Sequence, residues 1–267
     1  MIHKHEEPIL TNNLDSGSGA IFFAGCNLQC VYCQNYNVSH FSSGLELTPS
    51  ELAGLFKQLE LNGAGNIDLV SPTHYSNQII EALKIYKPKI PVIWNTGGYE
   101  SKETIRQLKD LVDIYLTDFK YADNMLSIKY SKAPNYVENA KSALEEMKKQ
   151  IPNNIFKNNK LVKGIIVRHL VLPGYTKDSL KVLNIIKNIL SNDAIISIMS
   201  QFTPIKELKI KYPEINRTIT NLEYKVVVNH ALKLGFNNAF IQEKESASLK
   251  YTPNFNNNII EIKIHQI

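Results

Sequence analysis

Three cysteines fall within eight residues, at Cys26, Cys30 and Cys33, in the string Gly25-Cys-Asn-Leu-Gln-Cys-Val-Tyr-Cys-Gln-Asn35, and they are the only cysteines of the chain. A disulfide framework needs an even count and an oxidising compartment, so the cluster points instead to metal ligation by thiolates. Structural zinc usually takes four protein ligands, commonly from paired C-x₂-C units. Here the fourth would have to be a histidine such as His40, and there is no second pair. Ferredoxin-type clusters use four thiolates. Three thiolates on a cubane leave one iron without a protein ligand, and an open coordination position is what turns a metal from a staple into a reaction site. The spacing therefore favours an open-site iron–sulfur centre, with zinc as the alternative.

The elements that must position these thiols can be read from periodicity. Short β-branched runs alternate with longer amphipathic stretches. Strand candidates are Ala20–Ala24, Asn66–Val70, Pro91–Asn95, Val112–Leu116, Gly164–Leu172 and Ala194–Met199. Helix candidates are Glu51–Asn62, Asn77–Lys87, Lys102–Lys109, Val137–Lys149, Ser179–Leu190 and Asn221–Leu234. Between them, Pro152 to Lys160 is Asn- and Lys-rich and reads as a surface loop. Six βα units in series predict a parallel sheet: an α/β fold, an open partial (β/α)6 barrel. The whole chain, 1–267, is expected to form one domain. It divides into a lead-in (1–19), a barrel core (20–202) and a C-terminal helix and strand capping the barrel (203–267).

Active residues of β/α barrels lie at the C-terminal ends of the strands and in the loops that follow. That rule selects the cysteine loop, then Ser71-Pro-Thr-His74, Asn95-Thr-Gly-Gly-Tyr99, Asp118-Phe-Lys120, Arg168-His169 and Ser200-Gln201. Asp118 and Lys120 lie two apart, on one side of an extended segment, where they could be a structural ion pair or could meet a zwitterionic ligand. Arg168 sits inside an apolar strand and calls for a partner, because charges are rarely buried unpaired. His74 and His169 read equally well as satisfied structural residues. Tyr99 and Glu100 read equally well as a turn and a helix N-cap.

The 267 residues are 43% hydrophobic and 21% charged, with a net charge of +5. No apolar run approaches the ~18 residues of a membrane span. The start, Met-Ile-His-Lys-His-Glu-Glu-Pro, lacks an apolar signal-peptide core, so a cytoplasmic protein is expected. The lysines are dispersed, and arginine occurs only at Arg106, Arg168 and Arg217, which argues against a nucleic-acid groove.

The C-x₃-C-x₂-C motif with an aromatic, Tyr32, before its last cysteine resembles the signature of the radical S-adenosylmethionine (SAM) superfamily. Further strings narrow the resemblance: Glu6-Glu7-Pro8, Gly17 to Phe23, Ser71 to Tyr75, Asn95 to Glu100, Val112 to Lys120 and Val167 to Gly174. Together these are similar to the pyruvate formate-lyase activating enzyme-related branch and cover nearly the whole chain. The resemblance implies one 4Fe–4S cluster on Cys26, Cys30 and Cys33, with SAM chelating the fourth iron. Reductive cleavage of SAM would then give a 5′-deoxyadenosyl radical for hydrogen abstraction. It implies SAM contacts at Tyr32, Asn95, Thr96, Asp118, Lys120, Arg168 and Gln201. It also implies a flavodoxin or ferredoxin as reductant.

Two departures stand out. The Gly-Gly-Glu element that usually receives the SAM amino group is replaced by Ser71-Pro-Thr-His74, so the hydroxyls of Ser71 or Thr73 or backbone carbonyls must substitute. Extra upstream cysteines are absent, so the count allows one cluster. The leading expectation is an activase-like enzyme acting on a protein that carries a glycine loop. A radical SAM enzyme for a small molecule or RNA is the alternative, and a non-catalytic iron–sulfur or zinc module is a third reading.

Overall fold

A computed structural model of the chain describes residues 2–3, 7–11, 17–40, 44–192, 194–204, 208–236 and 238–241. The sequence strings at Glu6, at 12–16 and beyond 241, which belong to the expected lead-in and cap, lie outside the described residues.

The strands are β1 (Ile2–His3), β2 (Ser18–Phe22), β3 (Ile67–Val70), β4 (Val92–Thr96), β5 (Ile114–Asp118), β6 (Ile155–Lys157), β7 (Lys160–Leu170), β8 (Ile195–Met199) and β9 (Asn238–Ile241). The helices are α1 (Tyr36–His40), α2 (Pro49–Leu61), α3 (Ser76–Ile85), α4 (Lys102–Gln107), α5 (Asn124–Ser131), α6 (Tyr136–Gln150), α7 (Thr176–Leu190), α8 (Leu208–Lys211) and α9 (Asn221–Lys233). One sheet runs β1-β2-β3-β4-β5-β7-β8-β9, with β6 paired to β7 off that path. From β2 to β9 every neighbour on the path is parallel, while β1 is antiparallel to β2. Among the described residues β1 and β9 do not pair, so the barrel is open, as the sequence predicts. The six expected strands are all present, and β9 extends the parallel set by one.

Continuous apolar runs form these strands because both faces are covered. Outside, Trp94, Tyr115, Leu69, Ile165 and Val167 pack against the helices in one large core. Inside, Ile93, Ile114, Leu116, Ile166 and Ile195 form a second, smaller core around Leu10, which is wholly buried. Leu10 ends a short 3₁₀ turn (Pro8–Leu10), and its carbonyl accepts a 2.9 Å hydrogen bond from Asn66 Nδ2. The apolar plug thus fills the lower lumen and leaves the strand C-termini free for polar groups.

Local signals fix the ends of helices. Thr48 and Glu51 form a reciprocal capping box on α2, and Thr220 and Glu223 do the same on α9. The expected loop from Pro152 to Lys160 proves partly extended: β6 pairs antiparallel with the start of β7. The turn falls on Asn158 and Asn159, both left-handed at φ 52° and 60°. Asn tolerates that conformation, and two such residues in a row make the tight turn whose twist suits a hairpin.

Candidate functional site

The cysteine loop leaves β2 at the strand's C-terminal end, as the barrel rule requires. Cys30 is buried and Cys26 and Cys33 are half-buried. Each sulfur faces a donor. The Leu28 N–H lies 3.4 Å from Cys26 Sγ, Ser39 Oγ lies 3.2 Å from Cys33 Sγ, and Ser131 Oγ lies 3.0 Å from Cys30 Sγ. Ser71, held in a left-handed turn at φ 55°, adds a hydroxyl beside Cys26.

Burial raises the thiol pKa of Cys26 and pushes that of Cys30 up to about 12. Burial therefore opposes the thiolate form, and a bound cation is what would stabilise it. Among the described residues no three His, Cys, Asp or Glu side chains converge as a single metal ion requires. A cubane, which offers each thiolate its own iron, fits three sulfurs with donors ranged behind them.

Opposite the cysteines, the strand ends present an ionic network. Register places Asp118 of β5 beside Arg168 of β7. Arg168 Nε donates to Asp118 Oδ1 at 2.9 Å, and Lys120 Nζ donates to Asp118 Oδ2 at 2.5 Å. Arg168 Nη2 also reaches Asn95 Oδ1 at 2.6 Å, and Asn95 Nδ2 donates to Asp68 Oδ2 at 3.4 Å. All three charged side chains are largely buried, at 13% exposure for Asp118 and 16% for each cation. Burial alone would raise the Asp118 carboxyl, but Lys120 and Arg168 hold it below its usual value. Burial would likewise lower Lys120, and Asp118 instead keeps it above its usual range.

A second knot joins the loops after β3 and β4. Thr73 Oγ1 donates to Glu100 Oε1 at 2.7 Å, the Thr96 hydroxyl bonds the same oxygen, and the two threonine oxygens lie 3.3 Å apart. Glu100 is 1% exposed and its Oε2 has no hydrogen-bond partner. Burial raises its pKa to about 7, with Asp118 adding to the rise and the Thr73 hydrogen bond opposing it.

The two knots meet through the β4 loop. Tyr136 OH donates to the Gly97 carbonyl at 2.9 Å and accepts the Lys120 N–H at 2.9 Å. Gly98 has φ +78°, and a Cβ there would overlap the Asp118 carbonyl oxygen and approach Tyr136 OH to 2.9 Å. Only glycine lets the loop close this tightly. Asn27, next to Cys26, donates to the Tyr99 carbonyl at 2.6 Å and so ties the cysteine loop to the same turn.

The structure thus gathers Ser71, Thr73, Asn95, Thr96, Asp118, Lys120 and Arg168 at one end of the sheet with the cysteines. Two expected SAM contacts stand apart from the ionic network. Tyr32 is buried with its hydroxyl 2.5 Å from Tyr121 OH, and Gln201 follows β8, with its carbonyl accepting from Gln34 in the cysteine loop at 3.1 Å. His74 meets the Ala24 carbonyl at 2.8 Å, and His169 meets the Phe119 carbonyl at 2.7 Å. Burial lowers the His169 pKa to about 4, which suits a neutral structural residue. Of the two readings open for Glu100, the helix cap falls to Ser101, whose hydroxyl accepts the Thr104 N–H at 3.0 Å. Sequence reasoning passed over Asp68, a charged residue inside an apolar strand. It also left open the role of Glu100, which follows the Gly97-Gly98 pair.

A family model described as the radical SAM superfamily matches residues 20–184. The uncharacterized protein MJ0674 of Methanocaldococcus jannaschii is 32% identical over 245 residues, which are 87% of this chain. The chain spans 65% of that relative's length. The pyruvate formate-lyase-activating enzyme of Clostridium pasteurianum is 27% identical over 220 residues, covering 77% of this chain and 81% of the enzyme. Among solved structures, Streptococcus suis SuiB bound to its precursor peptide SuiA superposes with a TM-score of 0.56 at 12% identity, over 85% of this chain and 48% of SuiB. SuiB has also been solved bound to SAM. At that identity the likeness is one of fold.

Proposed function

The chain belongs to the radical SAM superfamily, and on that premise we propose that it is an activase-like enzyme that abstracts hydrogen from a glycine in a protein loop. A 4Fe–4S cluster and SAM are the cofactors of this superfamily. The cluster, when bound, supplies the electron that cleaves SAM.

Cys26, Cys30 and Cys33 hold that cluster in this reading, backed by their N–H and O–H donors. Lys120 and Arg168 offer cationic hydrogen bonds to the SAM carboxylate, and Asp118 keeps both in place. Asn95, between Arg168 and Asp68, fixes the guanidinium orientation. The Ser71 and Thr73 hydroxyls would receive the SAM amino group. Glu100 brings to Thr73 the carboxylate that the β3 loop lacks. Gln201 completes the wall on the β8 side.

The observation that carries the reading is the buried Asp118–Lys120–Arg168 network at the same strand ends as the cysteine loop, because a metal staple needs no such charges. The likeness to the Clostridium enzyme over 81% of its length supports the activase assignment. An unclosed sheet suits a protein loop as substrate. No helix among the described residues is long and apolar enough to cross a membrane. We place the protein in the cytoplasm with a flavodoxin or ferredoxin as its electron donor.

The test is deuterium transfer. The reduced, reconstituted enzyme is incubated with SAM and a candidate glycyl-radical protein labelled at the glycine α-carbon. Deuterium in 5′-deoxyadenosine is expected, with a glycyl EPR doublet in the unlabelled protein that collapses to a singlet in the α-deuterated one. SAM cleavage that takes label from a small molecule or RNA, and none from any protein glycine, would overturn the activase assignment in favour of the alternative.

A further inference from the structure

Behind Cys30 lies a chain of hydroxyls that the SAM-binding reading does not use. Cys30 Sγ is 3.0 Å from Ser131 Oγ, Ser131 Oγ is 2.7 Å from Tyr121 OH, and Tyr121 OH is 2.5 Å from Tyr32 OH. Ser131 and Tyr121 are 0% exposed and Tyr32 is 6% exposed, so these bonds lie away from bulk solvent. The placement is held from both sides. Ser131 ends α5, its carbonyl accepts the Gln29 N–H at 3.0 Å, and the preceding Tyr130 carbonyl accepts the Val31 N–H at 2.8 Å. Tyr121 packs edge-on against Tyr136 with ring centroids 5.5 Å apart. The backbone that carries Ser131 is therefore tied to the cysteine loop on both sides of Cys30.

Proton counting sets the direction of the chain. Sulfur bound to iron is a thiolate and can only accept, so Ser131 must donate to it. The Ser131 oxygen is then free to accept from Tyr121, and the Tyr121 oxygen from Tyr32. Three dipoles point one way, and each strengthens the next in a low-dielectric interior. The other two sulfurs differ. Cys26 takes a long backbone N–H bond and the hydroxyl of half-buried Ser71, and the Ser39 hydroxyl beside Cys33 is shared with His40 Nδ1 and the Tyr36 carbonyl.

We propose that Ser131, polarised by Tyr121 and Tyr32, is a positioning residue that donates a hydrogen bond to the Cys30 thiolate and raises the cluster's reduction potential. A donor at sulfur withdraws charge from the iron and stabilises the reduced cluster more than the oxidised one. Hydrogen bonds to sulfur are among the determinants of iron–sulfur potentials. The proposal assigns Tyr32, expected to face SAM, to the far end of this relay. It rests on the cluster being bound at the three cysteines and not on the identity of the substrate.

The experiment is an EPR-monitored redox titration of the reconstituted holoenzyme, with iron and sulfide content measured on each sample. Ser131→Ala is expected to shift the midpoint to a more negative potential at full iron content. Ser131→Thr, which keeps the hydroxyl, should return it toward the wild type, and Tyr121→Phe should move it part of the way. An unchanged midpoint in fully loaded Ser131→Ala overturns the proposal. If Ser131→Ala loads poorly, Tyr121→Phe decides: a more negative midpoint supports the relay, and an unchanged one overturns it. A wild-type protein that holds no cubane overturns both the premise and the proposal, and its iron content alone reveals that.

Discussion

Replacing Asp118 by Asn removes one negative charge from between two largely buried cations. Lys120 at 2.5 Å and Arg168 at 2.9 Å both depend on it, and each is 16% exposed. Breaking a buried ion pair by neutralising one partner costs about 3–5 kcal/mol, because the remaining charge is left uncompensated. The Asn oxygen still accepts one hydrogen bond worth about 1 kcal/mol, so a loss of about 3 kcal/mol is expected. With a urea slope of about 3 kcal/mol per molar, the midpoint should fall by about 1 M. The assay is anaerobic urea unfolding of the cluster-free protein followed by circular dichroism. In the double variant Asp118→Asn/Arg168→Gln, one orphaned cation is gone, so its loss should be smaller than the two single losses added, with a coupling of about 1–2 kcal/mol. A single variant within 0.5 kcal/mol of the wild type, or strict additivity, would refute the claim that Asp118 holds the strand ends together.

Further expectations concern the loops that carry the site. Gly98→Ala should lower stability by more than the roughly 1 kcal/mol of a left-handed alanine, because its Cβ also overlaps the Asp118 carbonyl. SAM binding should weaken with it, as read by calorimetry on the loaded protein. The raised pKa of Glu100 fixes a sign. Its stability contribution is complete below the unfolded value of 4.5 and is lost as pH rises to about 7, so Glu100 by itself accounts for a loss of about 3 kcal/mol across that window. In urea titrations at stepped pH, the stability of Glu100→Gln relative to the wild type should rise by about 3 kcal/mol over the same range, the groups common to both cancelling. A parallel profile in the two proteins would mean that Glu100 is not buried as an acid.

What the sequence makes legible depends on the range of the interaction. The strands read clearly because a parallel sheet covered on both faces demands continuous β-branched runs, as in Ile67–Val70 and Ile195–Met199. Strand ends then point to Asp118 and Arg168 without further information. Helix α5 is not readable in the same way, since Asn-Met-Leu-Ser-Ile-Lys-Tyr-Ser has no single apolar face. The β6 hairpin is masked by polar composition, and only the Asn158-Asn159 pair betrays its turn. Ser131 is 101 residues from Cys30, and Glu100 is 27 from Thr73. Topology brings these together, and no local pattern in the chain announces such pairs.

The most direct test of the whole account is turnover of SAM. After anaerobic reconstitution with iron and sulfide, the protein is reduced in the presence of SAM and assayed for 5′-deoxyadenosine. Formation of 5′-deoxyadenosine that disappears in Cys30→Ala is the expected result. A purified protein that binds zinc, assembles no cubane and leaves SAM intact would contradict it.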